Sequence, residues 1–299
     1  MRAVVMLSVH NEVDILREVI DNLIDQKLEV VALDNGSNDG AYEICASYRD
    51  RGQIVLDRWE PQGIDLGRLT RRLYGMALKG GADWLLWSDG DELLQAVDPG
   101  RTLREVIEEA DGEGSNLIQF DRFDFFMTDR DEESEPSVPA RLRHYSWQGD
   151  FNYRAWRYVP GIRAEPSLAH LPFFPDGVPY RIHPRKQVLR HYPYRSPAQA
   201  RAKLESMVGK FRTDNASLRG WQHRYVRLAE QGQCAEEIPA EKLTRYASDH
   251  VWRREPRFTP FIDPQPTRSE LFSADGQLAL TMPLGPPLDG IPGDKGRGA

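Results

Sequence analysis

Four short apolar runs alternate with segments of helical period through the first third of the chain. This alternation constrains the fold more than any other feature. Residues 3–9 (AVVMLSV) form the first run, after which Ile15, Val19, Ile20, Leu23 and Ile24 recur at the spacing of one helix face. Residues 28–33 (LEVVAL) form the second run, followed by a predicted helix from Ala41 to Arg51. Residues 53–57 (QIVLD) form the third, residues 66–79 a basic amphipathic helix, and residues 83–88 (DWLLWS) the fourth. Strand and helix alternating at this spacing predict βαβ units and a parallel sheet. Runs that are apolar at consecutive positions fit strands covered on both faces. In such sheets ligands bind beyond the carboxyl ends of the strands. Three polar clusters, His10 to Glu12, Asp34 to Gly40 and Asp89 to Glu92, each follow a predicted strand, so they should line one edge of the sheet.

The third cluster carries the most chemistry. Asp89 and Asp91 stand two apart directly after an apolar strand, with Gly90 permitting a tight turn between them. Two carboxylates held this close repel unless a cation lies between them. Oxygen ligands on a turn suit a hard divalent ion, Mn²⁺ or Mg²⁺, which retains substrate phosphates among its ligands. The competing structural reading is an acidic turn that caps a following helix through Asp91 or Glu92. The placement of the turn after a buried strand, beside two other polar strand ends, favours the chemical reading.

At these residues the sequence resembles the family 2-like glycosyltransferases with the GT-A fold. Ser8-Val9-His10-Asn11-Glu12 is similar to the "NE" after that family's first strand. Leu33-Asp34-Asn35-Gly36-Ser37-Asn38-Asp39-Gly40 is similar to its "DDGSxDGT", with Asn35 in place of the second Asp. Trp84 to Glu92 is similar to its "DxDE" strand end. Order and spacing match together over about residues 3–95. The resemblance implies an α/β, Rossmann-like and mostly parallel central sheet flanked by helices. It implies a catalytic domain over 1–215, and a small helical extension over 216–255 and a Pro/Gly-rich, partly disordered tail over 256–299 complete the expected division. It also implies that Asp34 accepts a hydrogen bond from the nucleotide base, with His10, Asn11, Glu12 and Asn35 around base and ribose. Arg72, or the adjacent Arg71, would contact the nucleotide. Asp91 would bind metal, and Asp89 with Gly90 would face ribose or metal.

Later residues extend the resemblance. His191 in Leu189-Arg190-His191-Tyr192 resembles a histidine that completes the metal site in one subgroup, with His183 as the alternative. Arg195 and Lys203 are candidate diphosphate contacts or, equally, a generic basic surface. An inverting transfer needs a carboxylate that deprotonates the acceptor hydroxyl. The family's usual "ED" signature is absent, and Asp150 followed by Glu165 are the candidates, with Asp121 and Asp124 also open. Trp147, Tyr153, Trp156, Tyr158 and Tyr180 would either stack on an acceptor sugar or pack in the core.

Composition narrows the partners. A net charge of −7 gives no drive toward nucleic acid. Residues 181–260 nevertheless hold 17 Lys/Arg against 8 Asp/Glu, leaving 22 against 38 elsewhere; such a segment either faces a phosphate-bearing ligand or is a solvated helical surface. Cys45 and Cys234 are too few for a disulfide framework or zinc cluster, and reduced thiols fit a cytoplasmic enzyme. Residues 3–9 are too short for a signal peptide, and no run approaches the ~20 apolar residues that span a bilayer, which leaves only peripheral membrane contact open. The expected activity is therefore a metal-dependent, hexosyl-type inverting transfer from a nucleoside-diphosphate sugar, a UDP-sugar being favoured, to a glycan or other hydroxyl acceptor. The alternatives are an inactive nucleotide-sugar-binding or scaffolding protein and, further off, a sugar-phosphate nucleotidylyltransferase, whose Gly-rich loop has no equivalent at Val9 to Glu12.

Overall fold

The structure, a computed structural model, describes residues 1–60, 66–132, 134–149, 152–164, 171–212, 237–247 and 251–255. Its first half follows the predicted alternation: β1 (Ala3–Val9), α1 (Leu16–Asp25), β2 (Glu29–Asp34), α2 (Ala41–Asp50), β3 (Val55–Arg58), α3 (Leu66–Lys79) and β4 (Trp84–Asp89). β3 begins two residues later than its apolar pattern suggests, because the Gln53 N–H still closes the end of α2 on the Tyr48 carbonyl (3.0 Å). Then come β5 (Glu92–Gln95), α4 (Leu103–Gly112), β6 (Leu117–Phe126), the single turn α5 (Val138–Arg141), β7 (His144–Trp147) and β8 (Asn152–Arg157). β9 (Arg163–Ala164) and β10 (Pro172–Phe173) form a small separate ribbon; β11 (Gln187–His191), α6 (Pro197–Arg212), a 3-10 turn (Ala240–Lys242) and β12 (Thr244–Arg245) complete the described elements.

Among the described residues one large sheet has the order β12-β7-β6-β8-β4-β1-β2-β3, with β11 joined to β6 and β5 off this path. The stretch β4-β1-β2-β3 is parallel, as the βαβ pattern requires. The parallel expectation stops there: β8 runs antiparallel to both β4 and β6, so the whole sheet is mixed. Both faces are covered. Ala3, Val5, Leu7 and Val9 of β1 pack with α1, α2 and α4, whereas Val4 and Met6 pack with Leu69, Leu73, Tyr74 and Ala77 of α3. This two-sided burial is why the strands read as unbroken apolar runs.

Where a helical extension is expected, the described residues add β12 beside β7 and seat the Trp252 ring 4.5 Å from that of Phe123 in the core. Residues 216–236 and 248–250 of the expected extension and the tail over 256–299 lie outside the described residues. Tyr153, Trp156 and Tyr180 are buried in the α3-side core, so these three are packing residues and not an acceptor platform; Trp147 and Tyr158 are partly buried. No helix among the described residues is long and apolar enough to cross a membrane.

Candidate active site

Strand register brings the polar clusters together. Val9 stands opposite Asp34 and Ser8 opposite Asp89, so the carboxyl ends of β1, β2 and β4 share one edge. β11 is parallel to β6 and antiparallel to β5, which makes His191 the register partner of both Asp124 and Glu92. A histidine about 100 residues beyond the acidic turn reaches it through the sheet ladder.

At the end of β2, Asp34 is fully buried. Its Oδ2 accepts from the Ser37 N–H (3.2 Å) and lies 3.3 Å from Arg58 Nε. Its Oδ1, like Asn35 Oδ1, is buried with no hydrogen-bond partner among the described residues. Arg58 also donates to the Ser37 carbonyl (3.1 Å) and covers the Tyr42 ring at 4.4 Å. Asn11 takes the left-handed conformation (φ 56) that Asn tolerates. Its N–H donates to Ser37 Oγ (3.0 Å) and its Oδ1 accepts from the Asn38 N–H (2.9 Å), so its side chain braces the β2–α2 loop. His10 does the same through Nδ1 on the Asn35 carbonyl (2.9 Å), and its Nε2 lies 3.4 Å from Ser206 Oγ of α6. Asp39 caps α2 at the Ala41 N–H and also accepts from the Val13 N–H, both at 2.9 Å. Arg72 lies on α3, bound to Asp57 of β3 (2.7 Å), beside this group and not within it.

The acidic turn leads into a strand, β5, so the helix-cap alternative does not apply. Gly90 is required by proximity: a Cβ there would stand 3.2 Å from Glu12 Cγ and 3.4 Å from the Ser8 carbonyl oxygen. That contact presses the turn onto Glu12, which is paired with Arg195 and Lys203. Lys203 Nζ donates to Asp91 Oδ2 (2.6 Å) and Glu12 Oε1 (3.0 Å). Arg195, with 0% of its side chain exposed, also holds Asp14 through two donors at 2.8 Å and donates to the Tyr192 carbonyl. Asp89 is the most open carboxylate of the turn, 37% exposed; it accepts from Trp87 Nε1 (3.1 Å) and lies 3.6 Å from Arg154 Nη1. Arg154, buried on β8, is paired with Glu92, whose Oε2 accepts from the Asp89 N–H (3.1 Å).

His191 Nδ1 is 2.8 Å from Asp124 Oδ1 and 3.0 Å from Arg122 Nη2, while its Nε2 faces Asp91 Oδ2 at 3.6 Å. Burial and Arg122 would depress this imidazole, but Asp124 and Asp91 outweigh them and raise it to about 9. Nδ1 therefore acts as donor to Asp124. Burial opposes the ionisation of Asp124, yet Arg122 and His191 hold it down at about 2. Lys203 and His191 likewise overcome burial at Asp91 and keep it well below the usual carboxylate range. Glu92 moves the other way: burial, with Asp89 and Asp91 nearby, lifts it to about 7 against the pull of Arg154.

Two of the three expected metal ligands are brought together. His191 is fixed at one nitrogen by a carboxylate and directs the other at Asp91, an arrangement typical of metal-binding imidazoles. Asp89 does not join them into a three-ligand group, and none exists among the described His, Cys, Asp and Glu. A divalent ion there would complete its shell with substrate phosphate oxygens. His183, the alternative ligand, is buried 3.6 Å from Glu113 and away from Asp91. Asp150 and Glu165 lie outside the described residues. Asp121 is held by Trp147 Nε1 (3.2 Å) and Arg254 Nε (2.7 Å). Arg58, Arg122, Arg154 and Asp14 escaped the sequence reading. Arg154 alone left a signal, as a charged residue set among Tyr153, Ala155 and Trp156 in the strand Asn152–Arg157.

Residues 4–163 match the family model described as glycosyl transferase family 2. Uncharacterized proteins of Mycobacterium tuberculosis and Mycobacterium bovis are each 26% identical over 191 residues, which is 60% of this chain and 42% of theirs. The chain thus spans less than half the length of the curated relatives it matches. Among solved structures, S. aureus TarS 1–349 in complex with UDP is similar at a TM-score of 0.39 and 14% identity, over 78% of this chain and 70% of that one. The same fragment with UDP-GlcNAc gives 0.39 and 13%, over 78% and 71%.

Proposed function

The chain belongs to glycosyl transferase family 2, and from that premise we propose that it transfers a sugar from a nucleoside-diphosphate sugar to an acceptor hydroxyl. The observation that supports this best is the register that sets Asp34 and Asp89 on either side of the end of β1. One end of that edge suits a base and the other a diphosphate. Asp34 Oδ1 is a buried acceptor without a donor among the described residues, and such groups are costly unless a ligand or water meets them. A uracil-type imide N–H supplies the missing donor. Asn35 Oδ1 is a second such acceptor beside it.

The reading assigns the following roles. Asp34 and Asn35 bind the base, while His10 and Asn11 hold their loop in shape. Glu12 acts through Arg195 and Lys203. A divalent ion, Mn²⁺ or Mg²⁺, would be held by Asp91 and His191, with Asp89 left to the ribose side, and when bound it would supply Lewis-acid stabilisation to the departing diphosphate. Asp124 keeps His191 in the tautomer that offers Nε2. Direct displacement with inversion needs a carboxylate base for the acceptor hydroxyl, and Asp150, then Glu165, are assigned that part. Asp124 is excluded from it by its ion pairs with His191 and Arg122.

Thermal shift against UDP-, GDP- and dTDP-sugars, with and without Mn²⁺, tests the reading. A bound donor at 100 times its Kd adds roughly 2.7 kcal/mol. UDP-sugars are expected to stabilise the protein, Asp34→Ala to remove that shift, and Asp91→Ala to abolish Mn²⁺-dependent donor hydrolysis. No shift with any nucleotide sugar would overturn the reading.

A further inference from the structure

Two basic side chains serve the Glu12 and Asp91 carboxylates, and they differ in freedom. Arg195 is wholly enclosed and spends its donors on Glu12, Asp14 and the Tyr192 carbonyl. Lys203 is 19% exposed and divides one ammonium between Glu12 Oε1 and Asp91 Oδ2. An ammonium on a four-carbon stem can leave one partner and keep another, which a guanidinium locked in a fork cannot. If Lys203 left Asp91, Glu12 would still be paired with Arg195. The backbone of Lys203 need not move, since Ala200 and Leu204 on either side of it anchor α6 in the core.

The oxygen that Lys203 holds is the one His191 Nε2 faces, Asp91 Oδ2. A metal shared by Asp91 and His191 would need the same oxygen that the ammonium now holds. Two cations a few ångströms apart in a buried site repel strongly.

We propose that Lys203 is the resident counter-cation of the Glu12–Asp91 pair and competes with a divalent metal for Asp91, so that metal binding frees its ammonium for the donor's diphosphate. This rests on the glycosyltransferase reading of the site. In the metal-free state Lys203 keeps the buried carboxylates neutralised. In the loaded state it becomes a phosphate contact, so one side chain serves both states.

Titration with Mn²⁺ alone, without nucleotide, followed by calorimetry and by the electron paramagnetic resonance of free Mn²⁺, tests the proposal. Lys203→Met is expected to bind Mn²⁺ about tenfold or more tightly than the wild type, the scale of a close charge pair. Lys203→Arg, which keeps the charge, should stay near the wild type, and Asp91→Asn should bind most weakly. Because Lys203→Met leaves buried carboxylates under-neutralised, thermal unfolding with and without Mn²⁺ accompanies the titration. Mn²⁺ should raise the melting temperature of Lys203→Met more than that of the wild type. Equal or weaker Mn²⁺ affinity in Lys203→Met, equal melting shifts, or no Mn²⁺ binding by any of the chains would overturn the proposal. Binding of UDP-sugar to the wild type without metal is read separately, so a failed donor site is distinguishable from a failed competition.

Discussion

His191 binds its proton between two carboxylates, and that makes its ionisation part of the folding balance. Its ordinary value of 6.5 is raised to about 9 in the folded protein, so the charged ring stabilises the fold fully below pH 6.5. That stabilisation, roughly 3 kcal/mol, is lost as pH rises through 9. Glu92, lifted from 4.5 to about 7, affects only the range below 7, where rising pH ionises it at a cost. The window from pH 7 to 9 therefore reports on His191. Urea unfolding of the metal-free protein should show stability falling across that window, and His191→Asn should flatten the slope. An unchanged slope in the variant would show that another group carries it.

Helix α6 and the turn before it close the site from the second half of the chain. Arg195 lies just before α6 and reaches back to Glu12 and Asp14 at the end of β1. Removing one partner from a buried ion pair strands the others, a loss of about 3–5 kcal/mol. Arg195→Met should therefore lower unfolding stability by that amount in denaturant titration. A loss below about 1 kcal/mol, the scale of an exposed pair, would mean that the network is solvated. The strand pattern of β1, β2 and β4 was legible because their burial on both faces shows directly in composition. β12 was not, since a two-residue strand leaves no period to detect.

At the scale of the whole molecule, two separate cores sandwich the sheet: α1, α2 and α4 on one side, α3 on the other. Leu23 and Leu73 are each fully buried, one in each core. Leu23→Ala and Leu73→Ala should each cost about 2–5 kcal/mol. With no shared partners the double variant should match the sum within about 0.5 kcal/mol. A larger departure in chemical unfolding would show that the sheet couples its faces. The charge asymmetry also acquires a reason at this scale. The basic stretch 181–260 supplies Arg195 and Lys203 to the acidic strand ends Glu12, Asp14 and Asp91. The sequence by itself determined the alternating architecture, the shared edge of the three polar clusters and the candidacy of Asp34, Asp89, Asp91 and His191. The architecture and its edge follow from short-range periodicity, Asp89 and Asp91 from chemistry held within a few consecutive residues, and Asp34 and His191 from the family resemblance. Only the tertiary structure decided that Asp89 faces Arg154, that Asp124 fixes His191, that Arg58 lies against Asp34 and that Lys203 holds Asp91. Each of those pairings joins residues remote in the chain through strand register and helix packing, and no local pattern encodes which distant cation will meet a given carboxylate.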